Sequence, residues 1–377
     1  MSPGAVRVLV APDKFKGTLT AEEASAAITR GLRAVQPDVE VREIPVADGG
    51  EGTIEALIAA GARVTTVDVD GPIEGMTVPA RVAVLGRTAF VESAQACGLQ
   101  LLTPTPATSL AAGSRGVGQM VLAALDAGCE HLVVGLGGVA CTDGGAGLAH
   151  PLGIALCTVG GDAVPPGGAG LLDLDSVSTT GRDPRLRHMA VSAACDVTNP
   201  LVGPEGAAHV YGPQKGAGPR EVRLLDRALR RYARVLARDL GADVSQVPGK
   251  SAAGGLAAGL VALLGAEITS GADLLLELLG FGDAVRGVDL VITGEGRLDA
   301  QSLSGKAPVA VAGRAARAGV PTLALAGTVE LDDPRRTPFG AVWSMVEQAG
   351  ADRALSDAAE TLSLTAAHAY SQWAATT

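Results

Sequence analysis

Short β-branched runs that end in glycine and charge recur at both ends of this chain, and that recurrence constrains the fold more than any other feature. Near the start, "VRVLVAPDK" and "VEVREIPVADGGEG" are each followed by a helical stretch rich in alanine. Near the end, "VDLVITGEGRLD" and "VPTLALAGTVELDD" return with the helical "APVAVAGRAARAG" between them. Strands that alternate with helices in this way lie parallel in one sheet.

The middle of the chain changes grammar. "RVTTVDVDGPIEGMTVPARVAVLGRTAFVES" alternates apolar and polar residues between Gly and Pro turns, which predicts antiparallel strands. The expectation is an α/β protein of two domains. A doubly wound, Rossmann- or flavodoxin-like parallel-sheet domain comes from residues 1–64 and 286–377, and an inserted α+β domain with a mixed sheet from residues 65–285.

Helix signals are local and specific. Thr20 and Glu23 have capping-box spacing, Ala24, Ala27, Ile28 and Leu32 share one face, and Gln36-Pro37 ends the run. A basic helix is expected over about 220–240, with Leu225, Leu229, Tyr232 and Leu236 as its apolar stripe and its arginines on a solvated face.

Composition excludes several classes. Aromatic residues make up 2% of the chain and the formal net charge is -10, which argues against nucleic-acid binding. An anionic ligand must then be held by local donors. The 5 cysteines form no C-x-x-C pair, which suits a reduced compartment, and no H-x-x-x-H pair suggests zinc. No run of ~18 apolar residues offers a membrane span and the N-terminus has no signal-peptide core, so a cytoplasmic protein without membrane partners is expected.

Four strands are read as ending in polar loops: "APDKFKG", "VADGGEG", "TGEGRLD" and "AGTVELDD". The carboxyl ends of parallel strands lie on one side of a sheet, where ligands bind. Asp13, Lys14, Lys16, Asp48, Glu51, Glu295, Arg297, Asp299 and Lys306 are therefore candidates for one site. In the inserted part, "GLGGVACTDGGAG" follows a strand and its backbone amides suit an anion nest. "ACDVTNPLVGPEGAAHVYGPQKGA" leaves a strand with Asp196, Thr198 and Asn199, a carboxylate followed by hydroxyl and amide groups that suits a metal or a polyhydroxylated substrate, and later carries Lys215.

Familiar nucleotide motifs fail on spacing. Gly249-Lys250-Ser251 has Val244 where a P-loop needs its first glycine, and Gly305-Lys306 has Ala300 there and Ala307 in place of Ser or Thr. "GLGGVA" has the glycines of a dinucleotide turn but is followed by "CTDGGAG" where the helix should begin.

Taken together, "APDKFKGTLTAEEA", "PVADGGEGT", "GLGGVACTDGGAG", "ACDVTNPLVGPEGAAHVYGPQKGA", "AAGGLAAGL", "LGAEITSGADLLLE" and "DLVITGEGRLDAQSLSGKAP" resemble the bacterial glycerate kinases nearly end to end. The resemblance implies ATP-dependent phosphorylation of D-glycerate with Mg²⁺ in a protein of two α/β domains enclosing a cleft, with 2-phosphoglycerate favoured over 3-phosphoglycerate. It leaves open a homo-oligomer. A kinase for another small hydroxy or sugar acid on the same scaffold, and a nonenzymatic two-domain binding protein, are the alternatives. One departure is visible: the family often carries Ser where this chain has Val139, and Thr-Asn where it has Cys141-Thr142.

On that resemblance, phosphoryl transfer asks for positioning and charge neutralisation. Asp196 is the first candidate for the base and Asp48 the second, with Lys14 and Lys306 as catalytic cations. Glu295 and Asp299 are the expected metal ligands. Arg297, Lys16, Asp48 and Asn199 are the expected substrate contacts, Arg297 for the glycerate carboxylate. Gly137, Gly138, Thr142, Asp143, Gly144 and Gly145 are expected to receive ATP phosphates.

Overall fold

The apolar runs become strands β1 (Arg7–Val10), β2 (Glu40–Glu43), β3 (Arg63–Asp70), β4 (Thr77–Leu85), β5 (Thr88–Glu92), β6 (His131–Gly135), β7 (Ala155–Cys157), β8 (Ser176–Ser178), β9 (Ala190–Ala194), β10 (Glu267–Thr269), β11 (Leu290–Asp299), β12 (Thr322–Glu330) and β13 (Ala341–Ser344). The structure is a computed structural model that describes residues 6–47, 49–50, 52–300, 302–304, 306–331, 333 and 336–376. The chain divides into two compact units, one of Met1–Asp48, Glu55–Ala60 and Ser270–Thr377, the other of Gly49–Ile54 and Gly61–Thr269.

In the first unit one sheet runs in the order β13-β12-β11-β1-β2 with every pairing parallel. Its inner strands β1, β11 and β12 carry nearly continuous apolar runs because both faces are covered there, whereas the edge strand β2 is mostly exposed. Val8, Val10, Leu290, Ile292, Leu323 and Leu325 join Ile28, Leu32, Leu362 and Tyr370 on one side. Leu9, Ala11 and Val291 join Leu276, Phe281, Val311 and Ala315 on the other. Residues 270–285, expected in the inserted part, pack here, since Ala272, Leu276, Phe281 and Ala284 fill that second face.

Helix Ala21–Val35 carries the predicted capping box, with Glu23 N donating to Thr20 Oγ1 at 3.1 Å and Thr20 N donating to Glu23 Oε2 at 2.9 Å. It packs along helix Ala358–Ala374 so closely that a Cβ on Gly31 would lie 2.1 Å from the Ser363 carbonyl oxygen. Tyr370 adds a hydrogen bond from its hydroxyl to Gln36 Oε1 at 2.6 Å.

In the second unit a mixed sheet runs β10-β9-β6-β5-β4-β3. The β3, β4 and β5 pairings are antiparallel, as the alternation predicts, and β5, β6, β9 and β10 are parallel neighbours. The basic helix runs Pro219–Leu240 and buries Leu225, Leu229, Tyr232 and Leu236 fully. Its Arg223, Arg227, Arg230, Arg234 and Arg238 are exposed, so the charge run is a solvated face. Among the described residues no helix is long and apolar enough to cross a membrane.

Candidate active site

The first unit brings the N-terminal loop onto β11. Beyond β1 the chain stays paired, with Ala11 N donating to Ile292 O and Asp13 N to Gly294 O, each at 2.8 Å. Gly294 and Gly296 are glycines because β12 and this loop leave no room for a side chain. A Cβ at 294 would sit 2.2 Å from Leu325 O and 3.2 Å from Phe15 Cζ, and one at 296 would sit 2.9 Å from Lys16 N. Lys14 is half-buried and Lys16 exposed, and the Lys14 amide donates to Asp13 Oδ1 at 2.7 Å.

The expected loop "TGEGRLD" is strand. β11 continues to Asp299 and β12 to Glu330, paired in register with Glu295 opposite Ala326, Arg297 opposite Thr328 and Asp299 opposite Glu330. The polar residues did not end the strand because a parallel partner of matching length meets their backbone donors and acceptors. Period-two alternation puts Glu295, Arg297 and Asp299 on one face. Glu295 is buried, whereas Arg297 is exposed.

The guanidinium of Arg297 is held by carboxylates of the protein itself, with Asp299 Oδ2 3.4 Å from its Nε and Glu330 as a second partner. Asp299 also accepts from Ser302 N at 3.0 Å through Oδ1, which closes the turn after the strand. Lys306 is the N-cap residue of helix Ala307–Arg317 and is half-buried. Asp48 and Glu51, named from the sequence, lie outside the described residues.

In the second unit the carboxyl ends of four parallel strands line up, with Glu92, Gly135, Ala194 and Thr269 in register. Asp196 follows β9 and is exposed. Gly137 and Gly138 follow β6 and are also exposed. Asn199 is fixed at both ends of its amide, donating to Glu205 O at 3.0 Å and accepting from the Tyr211 hydroxyl at 2.9 Å.

The rest of the glycine block departs from the expected nest. Asp143 is fully buried and its carboxylate accepts from Ser114 N, Ser114 Oγ, Gly145 N and Gly147 N at 2.8–3.1 Å. Gly144 N donates to Gly254 O at 3.1 Å. The amides of Gly144 and Gly145 are therefore committed inside the protein, and an anion nest is left with Gly137 and Gly138. Gly144 has a second reason to be glycine, since a Cβ there would meet the Tyr232 ring at 2.7 Å. Thr142 is buried with its hydroxyl unpartnered, and Val139 is buried in the apolar core, so neither side chain faces solvent.

Behind this block stands Lys215, 4% exposed, whose Nζ donates to Cys141 O at 2.6 Å. Burial pushes its pKa down, against the opposing pull of Cys141, Cys97 and Asp143. Two residues missed by sequence reasoning also belong to this end of the sheet. Glu92 is a buried carboxylate at the end of β5, bonded by Gln95 Nε2 at 2.8 Å. Lys250 is buried in the turn after the long helix, and its neighbours in "PGKSAAGG" carry no sequence signal beyond a P-loop spacing that fails. A separate cavity of about 900 Å³, walled by Asp70, Glu74, Arg115, His150 and Cys157 among others, includes none of the residues assigned from the sequence.

A doubly wound parallel sheet with acids, lysines and glycines at its strand ends, joined to a mixed-sheet unit with an exposed glycine turn, defines an α/β enzyme of the kind that handles small anionic substrates. Comparison makes the class specific. The sequence model of the glycerate kinase family matches residues 8–374. Over 330 residues the chain is 42% identical to a glycerate 2-kinase of Escherichia coli strain K12, covering 87% of this chain and 86% of that one. It is equally similar to a glycerate kinase of Bacillus subtilis strain 168, 42% identical over 330 residues with the same coverage of 87% and 86%. A crystal structure assigned to glycerate kinase 2 of Salmonella typhimurium LT2 aligns with a TM-score of 0.87 and 40% identity over 99% of each chain. The chain belongs to the glycerate kinase family, a family of ATP-dependent phosphotransferases.

Proposed function

We propose that the protein transfers the terminal phosphoryl group of ATP to D-glycerate, and that the C2 hydroxyl is the acceptor, giving 2-phosphoglycerate. The observation that carries the reading is 42% identity to a glycerate 2-kinase over 87% of the chain. The strand-end chemistry of both units supports it.

In this reading Asp196 accepts a hydrogen bond from the attacking hydroxyl and takes its proton as the phosphorus–oxygen bond forms. Its exposure at a strand end suits a group that must meet substrate. Lys14 and Lys306 neutralise phosphate oxygens as point charges, and Lys306 does so at a helix start, where backbone N–H groups add to the positive field. Gly137 and Gly138 offer backbone approach to a phosphate without side-chain hindrance. Lys16 and Asn199 are the proposed substrate contacts, and Arg297 receives the glycerate carboxylate by exchanging it for Asp299 or Glu330.

Among the described residues no group of three metal-ligating side chains lies together. Mg²⁺ in a kinase takes one or two carboxylates, with phosphate oxygens and water completing its shell, so such a group is not required. Glu295, buried beside the strand-paired Asp13, fits that demand better than Asp299, whose two oxygens serve Ser302 and Arg297. When bound with the nucleotide, Mg²⁺ supplies charge neutralisation across the phosphates.

An ADP-release assay tests the reading. Turnover with D-glycerate at a kcat/KM at least about tenfold above L-glycerate and larger aldonates supports it. A preference for a larger sugar acid would replace the substrate, and ATP binding without turnover would replace the enzyme.

A further inference from the structure

The turn Gly249–Gly255 is hooked onto the segment that leaves β9. Ser251 N donates to Asn199 O at 3.4 Å, and Gly255 N donates to Ser251 O at 3.1 Å. Gly249, at φ +82°, approaches Val197 so closely that a Cβ would lie 3.3 Å from its carbonyl oxygen. The turn is thus fixed beside the residues that follow the strand, among them Asp196 and Asn199.

Within it stand two polar groups whose demands the protein does not meet. Lys250 is 8% exposed, and among the described residues its ammonium has no hydrogen bond and no ion pair. Ser251 is fully buried, and its hydroxyl has no partner. Both Lys250 and Asp196 lie within electrostatic reach of Cys195. Burial pushes the Lys250 pKa down, as expected of a cation without a compensating anion.

A lysine whose stem is buried while its ammonium finds no partner within the protein carries a charge that the fold itself does not use, and apolar residues of similar shape do as well or better at such positions. We propose that Lys250 binds an oxyanion of the reacting pair, a carboxylate or a phosphate oxygen, beside Asp196 at the strand ends of the second unit. A bound oxyanion gives the ammonium the partner it lacks. The assignment rests on the reading above only for which two molecules supply that oxyanion.

The test is Lys250→Met, which keeps an unbranched side chain one atom shorter and removes its charge, with Lys250→Arg as the charge-retaining control. Calorimetry is run separately with D-glycerate, ATP and inorganic phosphate, alongside thermal unfolding. The expected result is a loss of about tenfold or more in affinity for one substrate, partial recovery in Lys250→Arg, and a thermal midpoint for Lys250→Met at or above that of the parent. Loss confined to D-glycerate identifies a carboxylate, and loss confined to ATP and phosphate identifies a phosphate oxygen. Affinities within about twofold of the parent for all three probes would overturn the assignment. So would a Lys250→Met protein that melts well below the parent, together with unchanged affinities in Lys250→Gln, because the lysine would then be structural. If the parent shows no turnover of D-glycerate, the reading of function fails, and the comparison with ATP and phosphate still decides Lys250. A parent that binds none of the probes overturns both.

Discussion

Ser114 donates both its main-chain amide, at 2.9 Å, and its hydroxyl, at 2.8 Å, to one carboxylate oxygen of Asp143. With Gly145 N and Gly147 N completing the set, Asp143 ties the glycine block to the start of helix Arg115–Asp126. Asp143→Ala leaves those donors buried without an acceptor, at a cost of about 3 kcal/mol or more. The urea midpoint should fall accordingly with an unchanged slope, whereas a midpoint equal to the parent's would show that the network carries little stability.

Gly31 offers a second stability test at the crossing of helices Ala21–Val35 and Ala358–Ala374. A methyl group there meets the Ser363 carbonyl oxygen, and the helices must separate. Gly31→Ala should lose about 1–3 kcal/mol despite its better helix propensity. Thermal unfolding checks the sign, because propensity alone predicts a gain.

Lys215 should leave a signature in the alkaline limb of stability. Its native pKa lies below the ordinary value of 10.5 because burial disfavours the ammonium. Between that lowered value and 10.5 the unfolded chain binds the proton and the native protein does not, so this group's contribution to stability rises with pH across the window. The difference in unfolding free energy between parent and Lys215→Met should therefore move in the parent's favour as the pH rises towards 10.5. A difference independent of pH would mean that the lysine titrates normally.

Asp196→Asn separates base from bystander. Loss of the proton acceptor should lower kcat by about two orders of magnitude or more, with ATP affinity retained. Near-normal turnover would remove Asp196 from the chemistry. Lys306→Ala should raise KM for ATP or lower kcat by about tenfold, and unchanged values would remove its phosphate role.

Glu295 and Asp299 should respond differently to metal. Glu295→Gln should raise the Mg²⁺ concentration for half-maximal turnover by about tenfold or more. Asp299→Asn should do so less, since its carboxylate closes the turn to Ser302 and faces Arg297. Equal effects would mean that both ligate.

Much of the fold was legible in the sequence because its signals are local. Thr20 and Glu23 announce a helix start through backbone donors three residues apart, and the antiparallel β3–β4 pairing follows from alternation within one stretch. The length of β11 was not legible. Gly294-Glu295-Gly296 reads as a loop until β12 supplies a partner for its backbone, and that pairing depends on residues some thirty positions away. The glycine block misled for the same kind of reason. Two adjacent glycines suit an anion nest equally well as they suit close packing against Tyr232 and Gly254, and only the tertiary neighbours decide. Lys250 was hidden by its surroundings in the sequence, since nothing in "PGKSAAGG" states that the lysine will be buried.

The central claim is the transfer of phosphate from ATP to the C2 hydroxyl of D-glycerate, and proton-coupled phosphorus NMR of the product tests it most directly. A phosphate on C2 couples to one carbon-bound proton and a phosphate on C3 couples to two. The account predicts a new phosphomonoester resonance split as a doublet and growing in step with ADP. A triplet would move the acceptor to C3, and ADP release with no phosphomonoester resonance beyond free phosphate would contradict glycerate phosphorylation itself.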